Sequence, residues 1–453
     1  MTQTTTASSG APATAPAPAV TAGERGLPHG ARMSWLDVLR GIGALVVTYA
    51  HLGVFLDLGL PEVSRWVDVG RFGVLLFFLV SGYVIPMSLE RHGSLRRFWV
   101  GRLFRLYPAW LLAVAVMAVL IQVDVAPLLP PIAENPAAAV LGHLVMSQEL
   151  IGLPGLLSVF WTLSFEMLFY LLVSALFVLG RHGREAAVAA GLAVAALLGV
   201  RTLPAELLTG TATGRLVAAA ATFVVFGLSI AAYLSGRRRP ALVAAVAGLG
   251  CLVLPVLNGG AGAIPHALGS WQALAYLAVM FSGTVLHAAH RGRVRPRVAA
   301  ATLSVVFVAS LLANLWHAGL DRNDVRATGT LVGVAATFAI GYALRHRTLP
   351  GWATWLGRIS YSLYLLHFVA LFPLAAKIPR LSDGAVVHTT VLAAGYLALV
   401  LLASHLSYTL VERPGQRLGN RVGRALDACF GSDVRPAVAP EVRATEVPLP
   451  RER

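Results

Sequence analysis

Residues 70–89 read Gly-Arg-Phe-Gly-Val-Leu-Leu-Phe-Phe-Leu-Val-Ser-Gly-Tyr-Val-Ile-Pro-Met-Ser-Leu. One charge, Arg71, interrupts twenty residues; as a helix they would extend about 30 Å, the thickness of a bilayer's hydrocarbon core. The next two residues, Glu90 and Arg91, are charged and mark the exit. The whole chain follows this pattern, with 57% hydrophobic and 13% charged residues and a mean hydropathy of +0.72. Soluble domains carry about 25% charged residues. Half that fraction cannot cover a water-facing surface, so a soluble enzyme is excluded. The net charge of +15 sits in short runs between apolar segments, which reads as membrane orientation and not as a nucleic-acid-binding face. Cys251 and Cys429 are too few and too far apart for a disulfide framework or a metal site.

Twelve apolar runs are long enough, or nearly so, to cross the bilayer: roughly 35–56, 70–89, 107–124, 161–180, 186–203, 215–235, 241–258, 268–290, 298–317, 327–344, 355–376 and 386–411. The fifth is the shortest candidate. With the N-terminus inside, the internal connections hold 21 Arg and the external ones eight Lys or Arg. That alternation favours cytoplasmic N- and C-termini. The expected fold is all-α, a polytopic transmembrane bundle of about 10–12 spans in the cell membrane. Residues 1–32, rich in Thr, Ala and Pro, read as a disordered arm without a cleavable signal, 33–414 as the membrane domain and 415–453 as a polar, largely disordered cytoplasmic tail. The Arg96–Pro108 segment reads as an interfacial amphipathic helix running into the third span. The stretch 125–160 lacks Lys and Arg and is long enough to serve a purpose, such as a return into the bilayer.

Ionisable groups inside spans are rare enough to be functional candidates. Arg40 and His51 lie eleven residues apart in the first span, so they share a helix face about 20° wide and are separated by roughly 16 Å along the axis. Glu166 follows Trp161-Thr-Leu-Ser164-Phe in the fourth span and is expected about as deep below the outer surface as His51. His367, mid-span in Arg358-Ile-Ser-Tyr361-Ser-Leu-Tyr-Leu-Leu-His367, would line a cavity. The structural alternatives are a snorkelling anchor for Arg40 and interhelical hydrogen bonds or packing for the other three. Glu412-Arg413-Pro414 reads as the structural end of the last span.

The motifs taken together resemble the integral-membrane acyltransferase 3 family, whose members O-acylate sugars and related acceptors. They are Leu36-Asp37-Val-Leu-Arg40-Gly41 with His51; Phe77-Phe78-Leu-Val-Ser81-Gly82-Tyr83; the Arg-rich segment ending Arg105-Leu-Tyr-Pro108; Trp161-Thr-Leu-Ser164-Phe-Glu166; Tyr361 to His367; and Glu412-Arg-Pro414. They cover residues 34–414. The family often has an acidic pair where Glu166-Met167 stands, and an acidic residue where Val74 stands. Members usually show ten or eleven spans, and many carry an extra C-terminal domain for which this chain has no room.

The resemblance implies acyl-CoA, by default acetyl-CoA, as donor and no permanently bound cofactor. Arg96, Arg97, Arg102 and Arg105 would suit the CoA phosphates, with Arg40 at the inner end of the donor. His51 would be the general base toward an acceptor hydroxyl, and Glu166 would orient the acceptor or His51. Asp37, Ser81, Trp161, Ser164, Tyr361 and His367 complete the expected donor and acceptor contacts. The acceptor could be a sugar, a glycan or a hydroxylated metabolite such as a macrolide, and direct transfer and an acyl-enzyme route both fit. Two other classes fit the composition, a multi-span transporter with a proton relay and a non-catalytic scaffold, though neither gives the motifs a role.

Overall fold

The computed structural model describes residues 34–55, 62–181, 183–260, 269–318, 322–377, 386–431 and 433. Among them the chain forms helices without strands. The order is α1 (Ser34–Phe55), α2 (Val69–His92), α3 (Leu95–Gln122), α4 (Pro130–Glu134), α5 (Pro136–Leu144), α6 (Trp161–Val178), α7 (Glu185–Gly199) and α8 (Ala212–Ser235). Then come α9 (Arg238–Gly250), α10 (Val253–Leu257), α11 (Ser270–His290), α12 (Pro296–Ala318), α13 (Arg322–Ala343), α14 (Gly351–Lys377), α15 (Val386–Ser407) and α16 (Arg413–Phe430). Eleven helical segments among the described residues are long and apolar enough to cross a membrane. The protein is a multi-pass membrane helix bundle.

The fifth run is α7, fifteen residues or roughly 22 Å long, short of a core of about 30 Å. The chain nevertheless passes here from one end of the bundle to the other. Glu185, which opens α7, lines a cavity with Phe177, Glu90 and Arg293 at the ends of α6 and α2 and just after α11. Beyond α7, the Pro204 carbonyl accepts from Ser270 Oγ at the start of α11 at 3.0 Å. Leu36 and Glu412 therefore sit toward one end, called here the terminal end. The starts of α2, α6 and α11 mark the distal end.

Glycines set the two closest crossings. A Cβ on Gly357 would fall 1.9 Å from the Asp37 carbonyl oxygen, and one on Gly82 would fall 1.8 Å from that of Met280. Such approaches exclude any side chain and draw α1 against α14, and α2 against α11, as small residues do in membranes. Here they bring the Arg40–His51 helix onto the Tyr361–His367 helix.

The segment 96–108 runs into the third span as the first half of α3, with Leu95, Phe98, Trp99 and Val100 buried among neighbouring helices. The polar tail from residue 415 is ordered over its first part, as α16 docks along α3. There Gly415, Gly419 and Gly423 face Pro108, Phe104 and Val100, a periodicity of four that a polar composition conceals. The stretch 125–160 holds only short helices and 3₁₀ turns. Ala138 and Ala139 of α5 pack against Ala219 of α8, and His143 ties α5 to the Leu156 amide. The expected disordered arm, 1–32, lies outside the described residues.

Candidate active site

Arg40 is reached from four helices. It lines a cavity of about 60 Å³ with Val74, Phe77, Phe78 and Ser81 of α2, Arg105 and Leu106 of α3, Thr162, Leu163 and Glu166 of α6, and Tyr361 and Tyr364 of α14. Phe77, Phe78 and Leu106 supply apolar walls, while the arginines, Glu166 and the hydroxyls supply polarity. The space holds a few waters and is far below the roughly 300–1,000 Å³ of small-molecule sites. A thioester arm therefore enters only if these side chains give way.

Isolated charges buried at this depth would each cost several kcal/mol. They are matched instead. Arg40, Arg102 and Arg105 lie within electrostatic reach of Glu166; Asp37 faces Arg40, Arg105 and Arg358; Glu412 faces Arg105 and Arg40. Glu166 Oε1 accepts a short hydrogen bond from the Tyr170 hydroxyl, one turn on. Glu412 Oε2 accepts from Ser362 Oγ at 3.0 Å. Glu412 is buried at the end of a five-residue π turn, Tyr408–Glu412, a local irregularity often found at functional sites.

Toward the distal end, His51 meets His367. His51 Nδ1 stands 3.1 Å from the Val47 carbonyl oxygen and 3.2 Å from His367 Nε2, while His367 Nδ1 is 3.0 Å from the Leu363 carbonyl oxygen. One neutral tautomer satisfies all three contacts: each Nδ1 carries the proton, because carbonyl oxygens only accept, His51 shares its Nδ1–H between the Val47 carbonyl and His367 Nε2, and its lone pair lies on Nε2. Phe368 packs edge-on against His51 at 5.1 Å. Tyr364 joins the two halves of the site, because it lines the Arg40 cavity and its ring centre lies 6.0 Å from that of His367. Its hydroxyl pairs with Thr162 Oγ1 at 2.9 Å.

The expected residues separate as follows. Arg40, Ser81, Arg105, Glu166 and Tyr361 line one cavity, with Asp37 beside them. Glu166 does not share the depth of His51 but belongs with Arg40. The 3₁₀ turns 148–151 and 158–160 roof the start of α6 and bury Val159 and Phe160, so Trp161 starts below the surface from which depth was counted. Ser164 is fully buried and near the Glu149 amide at 3.4 Å, away from the cavity. Thr162 takes the place expected for it. Trp161 stacks among Phe78, Phe165 and Tyr276.

The four-arginine cluster also divides. Arg102 is buried with its guanidinium over the Phe98 and Tyr170 rings. Arg97 is half-exposed and pairs with Asp427 at 2.8 Å. Arg96 is 0% exposed and donates to the carbonyls of Leu234, Ser235 and Gly431 and to Asp427. It locks α3, α8 and α16 together and has no face left for a phosphate. Thr162 and Tyr364 were legible as helical neighbours of Glu166 and Tyr361, at i+4 and i+3; Glu412 gave no such signal.

The fold is a membrane helix bundle with a charge-matched cavity and a histidine pair at its heart. The chain belongs to the acyltransferase 3 family: the model of that family's acyltransferase domain matches residues 33–409, and the protein is an acyltransferase. It is similar to the acyltransferase MdmB of Streptomyces mycarofaciens, 25% identical over 413 residues that cover 87% of this chain and 94% of the relative. It is also similar to nodulation protein 10 of Rhizobium leguminosarum bv. viciae, 38% identical over 84 residues that cover 18% of this chain and 23% of that protein. No solved structure matches.

Proposed function

We propose that the protein moves an acyl group, by default acetyl, from acyl-CoA to a hydroxyl of a sugar, glycan or hydroxylated metabolite at the cell membrane, with His51 as general base. The observation that carries this reading is the meeting of His51 and His367 at 3.2 Å, next to Tyr364, which also lines the Arg40 cavity. A tautomer with the proton of His51 on Nδ1 leaves its basic lone pair on Nε2, the arrangement a general base needs.

The acceptor hydroxyl oxygen attacks the thioester carbonyl carbon while its proton passes to His51 Nε2. The tetrahedral adduct collapses, the carbon–sulfur bond breaks, and the thiolate takes the proton back from His51 to leave as CoA thiol. His367 keeps the imidazolium oriented without itself changing protonation. Arg40, Arg105 and Glu166 line the route by which the thioester arm reaches this point, and Tyr364 marks its end. Arginine excess at the terminal end supports a cytoplasmic placement of that end. There the exposed Arg358, beside Asp37, and half-exposed Arg97 suit the CoA phosphates better than Arg96. Purified protein in lipid nanodiscs, given acetyl-CoA and a panel of hydroxylated acceptors, should form an acetyl ester visible by mass spectrometry together with one free thiol per ester. Acceptor-dependent flux without thiol release would overturn the reading.

A further inference from the structure

A second, smaller pocket of about 30 Å³ lies at the distal end between α2, α11, α12 and α13, and like the Arg40 cavity it admits a ring only if its side chains give way. Gln272 and Tyr276 of α11, Ser310 and Asn314 of α12, Thr330 of α13 and Arg71 of α2 line it. The Trp271 indole forms one wall. Ser310 Oγ is the informative atom: Ser310 is 4% exposed, yet its hydroxyl has no hydrogen-bond partner. Helical serines usually bond back to the preceding turn, and an orphaned buried hydroxyl is destabilising. A ligand hydroxyl would satisfy it.

The pocket is not a closed end. Leu75, Val279, Ser310 and Leu331 also line a larger, almost wholly apolar groove that runs toward the terminal end along the same four helices, past Val306, Phe307 and Ala335. Polar head and apolar trough are thus continuous through Ser310. Arg71, the one charged group in the lining, has the Asp68 carboxylate 3.8 Å from its Nε, so amides, hydroxyls and an aromatic plate outnumber charge there and suit a hydroxylated ring. On its inner side Tyr276 packs against Phe78 at 5.8 Å, and Phe78 lines the Arg40 cavity.

We infer that this pocket and groove hold an amphiphilic acceptor, with an uncharged hydroxylated headgroup at Ser310, Asn314 and Trp271 and a hydrocarbon tail along α12 and α13. The inference rests on the acyl-transfer reading for what happens to the headgroup, but binding tests it alone. Dodecyl β-glucoside, ethyl β-glucoside and dodecyl phosphate serve as probes, with the full chain in nanodiscs and binding measured by native mass spectrometry in the absence of acyl-CoA. Dodecyl β-glucoside should bind at least tenfold more tightly than either of the others. Ser310→Val should weaken it about tenfold, the worth of one hydrogen bond to a buried group. Ala335→Trp should abolish the preference for the long chain, and Leu312→Trp, on the same helix outside the groove, should change nothing. With acetyl-CoA present, Ser310→Val should raise KM for the glucoside more than it lowers kcat. Equal binding of the dodecyl and ethyl glucosides, tighter binding of the phosphate, or wild-type binding by both Ser310→Val and Ala335→Trp would overturn the inference. Absence of ester formation with intact, variant-sensitive binding would sink the acyl-transfer reading and leave this site standing.

Discussion

His51 Nδ1 and His367 Nε2 face each other at 3.2 Å, from two helices pressed together where Gly357 admits the Asp37 carbonyl. The geometry makes His367 an acceptor that orients its neighbour. Removing it by His367→Ala should lower kcat by about three- to tenfold, the net worth of one hydrogen bond, with little change in KM for acetyl-CoA. His367→Gln can still present an acceptor oxygen and should recover most of that loss. Equal loss in both variants would mean that His367 serves packing alone.

The alignment depends on the helix crossing. Gly357→Ala places a methyl group where only 1.9 Å separates it from a backbone oxygen, so α1 and α14 must part. Activity should fall sharply and the unfolding temperature should drop. Wild-type values for both would show that the two histidines do not need this crossing.

Arg96, fully buried, and Arg40, half-buried, should behave differently although both sit inside the bundle. Arg96→Ala removes charged hydrogen bonds to three carbonyls and Asp427, each worth about 1.5–3 kcal/mol at most, and should reduce thermal stability while leaving KM for acetyl-CoA near wild type. Arg40→Ala should raise KM for the donor or lower kcat at modest loss of stability. An Arg96→Ala protein of normal stability and raised donor KM would return that residue to the CoA phosphates.

His143 lies outside the spans and ties α5 to the Leu156 amide. Its Nδ1 donates to the Ala139 carbonyl at 2.7 Å and its Nε2 accepts from the Leu156 amide at 2.9 Å. Burial holds its pKa below the ordinary 6.5, against the opposing hydrogen bond to Ala139. The unfolded chain then binds a proton near pH 6.5 that the folded one refuses, so stability falls as pH drops below that value. Thermal unfolding between pH 7.5 and 5 should show this slope, and His143→Gln should flatten it. An unchanged slope in the variant would assign the acid sensitivity elsewhere.

The membrane bundle was legible because lipid imposes a simple rule on composition and run length, which even found α7, too short by length alone. Arg40 and His51 were legible because eleven residues return a helix to nearly the same face. Depth was not. The roof over the start of α6 buries Val159 and Phe160 and places Glu166 beside Arg40, and no periodicity within α6 could reveal a covering loop. Arg96 looked like part of a phosphate site because its partners, the ends of α8 and α16, are 138 to 337 residues away in sequence. The order in α16 was hidden for a related reason. Glycines that dock a helix read, in isolation, as breakers of one.

The central claim is that His51 takes the proton of the attacking hydroxyl. Acceptor-dependent thiol release from acetyl-CoA, compared between wild type and His51→Ala of equal stability, tests it most directly. A loss of about 10²–10⁴-fold in kcat, the range for a positioned general base, is the expected result. Release by His51→Ala at the wild-type rate would contradict it.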